Sequence, residues 1–453
     1  MNNINRRFWT LVCLSFPLFF SCKTLPESGP TRGHSHKHDL YSLYGEVIPT
    51  AIPDQIILNL TENPLTEVAV NWRTDMSVKQ GEVHLAKATD GPEFREQFRT
   101  IMAKTSSFHN QFNNEPEIAA HYHSAILDSM LPGELYVYQV GFDTIWSEWF
   151  QIEMPKEDKL SFIYFGDAQN DVKSMWSRVI RQAYAKEPSV NFMLHAGDLI
   201  NRYERDLEWT EWFHAGGFIH ATVPSIMTPG NHEYGEEMDL SPQWKSQFNL
   251  PENGPEGLEE TCYAINYPLA KVISLDAEQI DESETFRDAQ KIWLDSVLSN
   301  NHSPWVILTL HYPFFSTKPQ RDNKELRQHF KPILDKYGVD LVLQGHDHAY
   351  GRGTVNNMSE GTNVYDQHGG TVYVVSVSGP KMYNISSDPW MDRRATNTQL
   401  FQIISLDRNR LDYKAYTATG KLYDAFSIKK SASGKNQMIS KVPGTPEHVP
   451  WVK

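Results

Sequence analysis

The sequence predicts an antiparallel β-sandwich followed by a layered α/β domain. Three observations carry that expectation. Between about Ile48 and Met154, short β-branched and aromatic runs follow one another with turn residues between them. From Lys159 onward, apolar strand runs alternate with stretches of helical period. Five of those later runs lead directly into Asp, Asn or His, which is where ligands gather in α/β sheets.

The sandwich strands read as IILNLTE, EVAVNWRT, GEVHLAKA, HYHSAILDSM, ELYVYQVG and WSEWFQIE, several alternating with period two. Asn63-Pro64, Gly81 and Pro132-Gly133 mark turns among them. In the second half the strand runs are SFIYF, VNFML, VPSIM, WVILTL, VDLVL and TVYVVSV. One helix is expected on the face Val172, Met175, Trp176, Val179, Ile180 and Ala183, with Asn170 or Asp171 as N-cap. A second presents Phe286, Ala289, Trp293, Leu294 and Val297. A third presents Leu326, Phe330, Ile333, Leu334 and Tyr337 and stops at Gly338.

Composition narrows the function classes. The 453 residues carry a formal net charge of −14, against the basic face that a nucleic-acid backbone binder needs. Apolar residues at 40% and charged residues at 22% are ordinary globular usage. Three Cys exclude a disulfide scaffold, and Cys262 reads as a small half-buried residue.

The N-terminus reads as an address. Arg6 and Arg7 precede an apolar run from Phe8 to Phe20, shorter than the roughly 20 residues that span a bilayer. Ser21-Cys22 then resembles the lipobox of bacterial lipoproteins, although Phe19 stands where Leu is usual. That resemblance implies a signal peptide over 1–22, lipidation of Cys22 and an extracytoplasmic, membrane-anchored protein. The anchor would be its only membrane contact. Residues 23–45, rich in Pro, Gly, Ser and His, read as a flexible tether.

The five strand ends are Gly166-Asp167-Ala168-Gln169, His195-Ala196-Gly197-Asp198, Gly230-Asn231-His232-Glu233, His311-Tyr312-Pro313 and Gly345-His346-Asp347-His348. Carboxylate, amide oxygen and imidazole together suit divalent or trivalent cations. Two Asp, one Asn and three His exceed the need of one ion, so a pair bridged by one Asp is the economical arrangement. With no thiolate in the set, Fe, Mn and Zn all qualify, and Mg less readily.

GDAQ, GDLIN, GNHE, the single His311 and GHDH resemble, in order, the five motifs of the metallophosphoesterase (calcineurin-like) superfamily. PGELYVYQVG at 132–141, Trp146-Ser147-Glu148, GHDHAYGR at 345–352 and Tyr-Asp-Ala-Phe at 423–426 resemble the purple acid phosphatase branch. The resemblance covers roughly residues 46–430. It implies a fibronectin type III-like β-sandwich over 46–155, an αββα-layered metallophosphatase domain over 156–430, and a C-terminal tail at 431–453. It implies that Asp167 and His348 hold one metal, that Asn231, His311 and His346 hold the other, and that Asp198 bridges them. His232 would stabilise the transition state or protonate the leaving oxygen. Metal-bound hydroxide would attack the phosphorus of a small phosphate ester, most simply a monoester. Two other readings stand beside this one: a phosphodiesterase acting on nucleotides or phospholipid head groups, and a non-catalytic lipid-anchored binding module with a vestigial site.

Two departures from the family patterns bear on the metals. Gln169 replaces the His often found two residues after the first Asp; its amide oxygen can ligate weakly or hydrogen-bond a metal-bound water. Asn201 stands three residues after the bridging Asp, where purple acid phosphatases place a Tyr, and Tyr203 comes two residues late. The tyrosinate ligand, and with it the purple colour, is therefore expected to be absent. Asn201, Tyr203, His214 and Arg352 are candidates for the substrate side, and His195 for orienting a ligand. Tyr312 is a candidate for the pocket wall, and loop 233–262 for selectivity.

Overall fold

The computed structural model describes residues 45–355, 370–430 and 436–449; the signal-peptide reading, Cys22 and the tether up to residue 44 lie outside them. The sandwich forms as its alternation requires. One sheet holds Asp54–Leu60, Val68–Asp75, Ile118–Leu127 and Lys104–Asn110. The other holds Arg99–Met102, Glu82–Lys87, Leu135–Phe142 and Ile145–Trp146, with Phe150–Glu153 beside Leu135–Phe142. Leu58, Val68, Val70, Trp72, Val83, Leu85, Tyr138 and Val140 interdigitate between the two sheets. Two strands, Arg99–Met102 and Lys104–Asn110, were not expected. Both lie at sheet edges, where polar residues and few apolar ones blunt further pairing.

The first sandwich sheet does not end at the domain boundary. Asp54–Leu60 pairs in parallel with Ser225–Thr228 of the second domain through Asn59 and Ser225, giving one 11-stranded sheet. The buried Asn59 side chain donates to the Ser225 carbonyl (3.1 Å) and accepts from the Asn249 amide (3.2 Å). Tyr138 donates to the Ala221 carbonyl at 2.6 Å, from the opposite sandwich sheet.

In the second domain two sheets face each other. The first contributes parallel strands Leu160–Phe165, Phe192–Ala196 and Ser225–Thr228. The second contributes parallel strands Ala270–Ser274, Trp305–Thr309, Leu341–Gln344 and Val372–Val375. Strands of the second sheet are apolar on both faces for a visible reason. Ile307, Leu341, Leu343, Val372 and Val374 join the core shared with the first sheet. Val306, Leu308, Val342, Tyr373 and Val375 join a second core under the helices Glu284–Ser299 and Lys324–Tyr337. Helices Ser177–Lys186 and Asp206–Gly216 pack on the first sheet, completing the αββα layering.

Gly338 ends its helix in the left-handed conformation at φ 65°, as a C-terminal stop should. The first expected helix begins differently. Its opening residues Val172–Trp176 make a wide π-type turn, and Asp171, at φ 48°, gives no side-chain cap. Cys262 is fully, not half, buried. Past Leu400 the chain adds Leu400–Leu406, Arg410–Thr417, Leu422–Lys430 and Asn436–Ser440, an antiparallel run on the far edge of the first sheet. The described part of the 431–453 tail is thus a strand followed by a largely exposed segment tied down by hydrogen bonds, among them that from the Thr396 amide to the His448 carbonyl at 2.8 Å.

Candidate metal centre

Each expected ligand sits just past the C-terminal end of a parallel strand, and the two facing sheets bring those ends together. Asp167, Asp198 and Asn231 come from the first sheet; His311, His346 and His348 come from the second. Asp167, Asp198, His346 and His348 all have positive φ, between 31° and 74°. That conformation is costly for residues with side chains, and its concentration here is the pattern of a site built for function. Gly197, at φ 85°, precedes Asp198 because nothing larger fits: a Cβ there would stand 2.5 Å from His311 Nδ1.

Ligand atoms of Asp198, His311 and His346 lie within 4.8 Å of one another, and so do those of Asp167, Asp198 and His348. Asp198 belongs to both groups. Its Oδ2 lies 3.2 Å from His311 Nε2, and its Oδ1 accepts from the His232 amide at 3.0 Å. Asp167 accepts from the His346 amide through both oxygens (2.9 Å each), and its Oδ1 lies 3.7 Å from His348 Nε2. The imidazoles are held from behind. His311 Nδ1 donates to the Ala196 carbonyl (2.8 Å) and His348 Nδ1 to the Lys381 carbonyl (3.1 Å), so each directs Nε2 inward. His346 Nδ1 faces His311 Nε2 at 3.2 Å.

These donors fit a pair of cations. Asn231 Oδ1 is buried without a hydrogen-bond partner, an acceptor in need of a ligand. Burial, with Asp198 nearby, pushes the Asp167 carboxyl well above the usual range. Burial also pushes His346 well down and His348 down to about 3, which keeps both imidazoles neutral. Against the pull of burial, Asp198 raises His311 to about 10 and is itself held well below the usual carboxylate range by His311. Cations between these groups would favour ionised carboxylates and neutral imidazoles together, the state in which all of them ligate.

His232 stands at the edge of the centre. Its Nδ1 donates to the Asn201 carbonyl at 2.7 Å, which leaves Nε2 available. Asn201 is thus at the site, serving His232 through its main chain. Tyr203 lies further out, its ring against Gly235 and Asp239. Gln169 is fully buried. Its amide nitrogen donates to Asp198 and its oxygen accepts from Lys381 Nζ at 3.1 Å. Tyr312 lies 4.5 Å from the His346 ring and donates to Glu278, so the two form one wall.

Three expectations are corrected. Arg352 is not on the substrate side: it is buried and paired with Asp424 (3.0 and 3.1 Å) and Asp392 (3.1 Å), tying Tyr350–Thr354 to Leu422–Lys430. His214 lines a separate cavity of about 270 Å³ with Asp54, Arg73 and Phe213, away from every ligand. His195 orients nothing; both ring nitrogens are buried without partners among Phe165, Trp176 and Trp212. Loop 233–262, the candidate for selectivity, folds around Trp244, which is buried and donates to the Glu260 carbonyl at 3.2 Å.

Two further residues escaped the sequence reading. Glu233, inside the third motif, accepts from the amides of Asp198 (2.9 Å), Leu199 (2.8 Å), Ile200 (3.4 Å) and Gly230 (2.7 Å), binding two ligand loops together. Lys381 follows the sixth strand run, TVYVVSV, whose end carried no diagnostic motif.

The calcineurin-like phosphoesterase family matches residues 160–350, and the purple acid phosphatase N-terminal domain matches residues 53–154. An uncharacterized protein of Mycobacterium tuberculosis is 25% identical over 333 residues, covering 65% of this chain and 61% of its own. The chain therefore spans about three fifths of the length of the first relatives it matches. The Fe(3+)-Zn(2+) purple acid phosphatase 12 of Arabidopsis thaliana is 24% identical over 320 residues, covering 66% of this chain and 65% of its own. In fold, the purple acid phosphatase PPD1 of yellow lupin (Lupinus luteus) superposes with a TM-score of 0.68 at 18% identity, covering 84% of this chain and 75% of that one. The chain thus carries a calcineurin-like phosphoesterase domain over residues 160–350 and, before it, a purple acid phosphatase N-terminal domain over residues 53–154.

Proposed function

We propose that this protein is an extracytoplasmic, lipid-anchored phosphoric ester hydrolase that acts on phosphomonoesters with two metal ions. The observation that carries the reading is the pair of ligand groups sharing Asp198, with His232 beside them. Asp167, Asp198 and His348 would hold one ion; Asp198, Asn231, His311 and His346 would hold the other. When bound, such a pair neutralises phosphoryl charge and makes a water-derived nucleophile available near neutral pH. The chain's own groups do the rest. Backbone contacts from Ala196 and Lys381 fix the imidazole tautomers, and Glu233 fixes the loops of Asp198 and Asn231. His232, anchored through Nδ1, presents Nε2 to the substrate, where a proton serves the leaving oxygen. Iron-loaded protein should lack a strong visible tyrosinate band, because Asn201 stands in the tyrosine's place.

The deciding experiment compares an aryl phosphate monoester with the matching diester, with and without chelator and with added Mn, Fe or Zn. Chelator-sensitive monoester turnover is expected. Diester turnover alone would move the assignment to a phosphodiesterase. Absence of bound metal, even after reconstitution, would leave a binding module. The anchor rests on Arg6-Arg7, the apolar run and Cys22, and has its own test. Cys22→Ser should abolish labelling by a fatty acid and release the protein from the membrane fraction.

A further inference from the structure

We propose that Lys381 is a phosphate-binding residue, its ammonium contacting an oxygen of the phosphoryl group held at the metal pair. The proposal rests on the phosphoric ester reading above and names a binder outside the five motifs. Lys381 is delivered as the ligands are. Val372–Val375 runs parallel to Leu341–Gln344, the strand that leads to His346 and His348, and its chain continues through Ser378, Gly379 and Pro380.

That continuation is laid directly on the first motif. Ser378 and Gly379 donate to the carbonyls of Gly166 (2.7 Å) and Asp167 (2.6 Å). A Cβ on Gly379 would stand 2.6–2.8 Å from the carbonyl oxygens of Asp167, Ala168 and Gln169, so only glycine allows this approach. The Lys381 carbonyl accepts from His348, and the Tyr383 amide donates to the His348 carbonyl at 3.1 Å. The backbone at Lys381 is therefore fixed to a metal ligand.

The side chain points at the same place. Lys381 Nζ donates to Gln169 Oε1 at 3.1 Å, and the other end of that amide donates to Asp198. Because an ammonium needs an acceptor, this contact also fixes the Gln169 amide with its oxygen toward the lysine and its NH₂ toward the bridging carboxylate. Among the described residues no carboxylate lies within ion-pair distance of Lys381, whereas the buried Lys331 pairs with Asp335 and Lys430 with Asp340. A half-buried ammonium with a neutral amide partner keeps donors and charge for an anion, and lysine binds phosphate as a point charge.

The test is calorimetric titration of the metal-loaded protein with inorganic phosphate, together with metal analysis. Lys381→Met should retain its metal, since the main chain and not the side chain holds His348. It should bind phosphate about tenfold to a hundredfold more weakly, the range for a hydrogen bond to a charged group. Lys381→Arg should recover part of that loss. In turnover, Lys381→Met should lower kcat/KM for the dianionic monoester more than for the monoanionic diester. Unchanged phosphate affinity with metal retained would overturn the proposal. So would loss of metal in both variants, or failure of the metal-loaded wild type to bind phosphate. Wild-type protein that binds phosphate through Lys381 but turns over no ester would sink the hydrolase reading and leave this one standing.

Discussion

Both halves of the molecule bury histidines, and they use them in opposite ways. In the sandwich, His123 is fully buried with Nε2 on Thr74 and Nδ1 on Thr105, both at 2.8 Å, and its ring stacks on Trp72. His121 Nδ1 donates to the Val78 carbonyl at 2.7 Å, and His84 is stacked between Phe98 and Trp146. Around the metal centre, His232, His311 and His348 each commit Nδ1 to a main-chain carbonyl and leave Nε2 for the site. Burial alone therefore does not distinguish a ligand from a packed histidine. The difference is whether several free ring nitrogens converge on a carboxylate.

The strongest test of that contrast is Asp198→Ala, which removes the group on which the inward nitrogens converge. Metal content and activity should fall together, activity by about 10³-fold or more. No histidine substitution in the sandwich should move metal content, as element analysis of matched preparations would show. Next comes Glu233→Ala. It strips the acceptor from four amides in a buried setting, and should cost about 3 kcal/mol or more of stability in denaturant unfolding. Metal affinity should fall with it, because the Asp198 and Asn231 loops lose their tie. His232→Ala should be milder: metal retained and kcat lowered by about 10²-fold. Should His232→Ala empty the site, its assignment to the substrate side is wrong.

The two halves were also unequally legible. Strand ends of the second domain could be read because each buried run is followed at once by glycine and a polar residue, as at Gly197-Asp198 and Gly345-His346. Helical faces such as Leu326, Phe330 and Leu334 were readable because they bury against a sheet. What escaped depends on contacts distant in sequence. Nothing local marks Asn59 as the residue that joins the two domains into one sheet. Lys381 looks like any surface lysine until Gly379 is seen lying on Asp167. Arg352 misled because a buried ion pair with Asp424, some 70 residues on, has no sequence signature. Edge strands such as Lys104–Asn110 carry too few apolar residues to alternate, and Leu400–Leu406 was missed although it is almost wholly buried beside Leu160–Phe165.

The packed histidines can be probed directly, with no effect on the metal centre. Burial, with His121 beside it, pushes the His123 imidazole down to about 4. An unfolded histidine titrates near 6.5. Between those values the unfolded chain binds a proton that the folded chain refuses, so stability rises with pH across that window and falls on acidification. His123 alone should account for up to about 3 kcal/mol of that slope. Other buried histidines, His220 among them, steepen the same window, so the wild-type curve by itself does not isolate one group. The difference between wild type and His123→Phe does. The variant should lose stability near neutral pH, where the two threonine contacts are gone, yet show a shallower decline between pH 6.5 and 4, with metal content unchanged. Parallel curves for the two proteins would mean that His123 takes up its proton without unfolding, and that its two threonine contacts leave the ring room to do so.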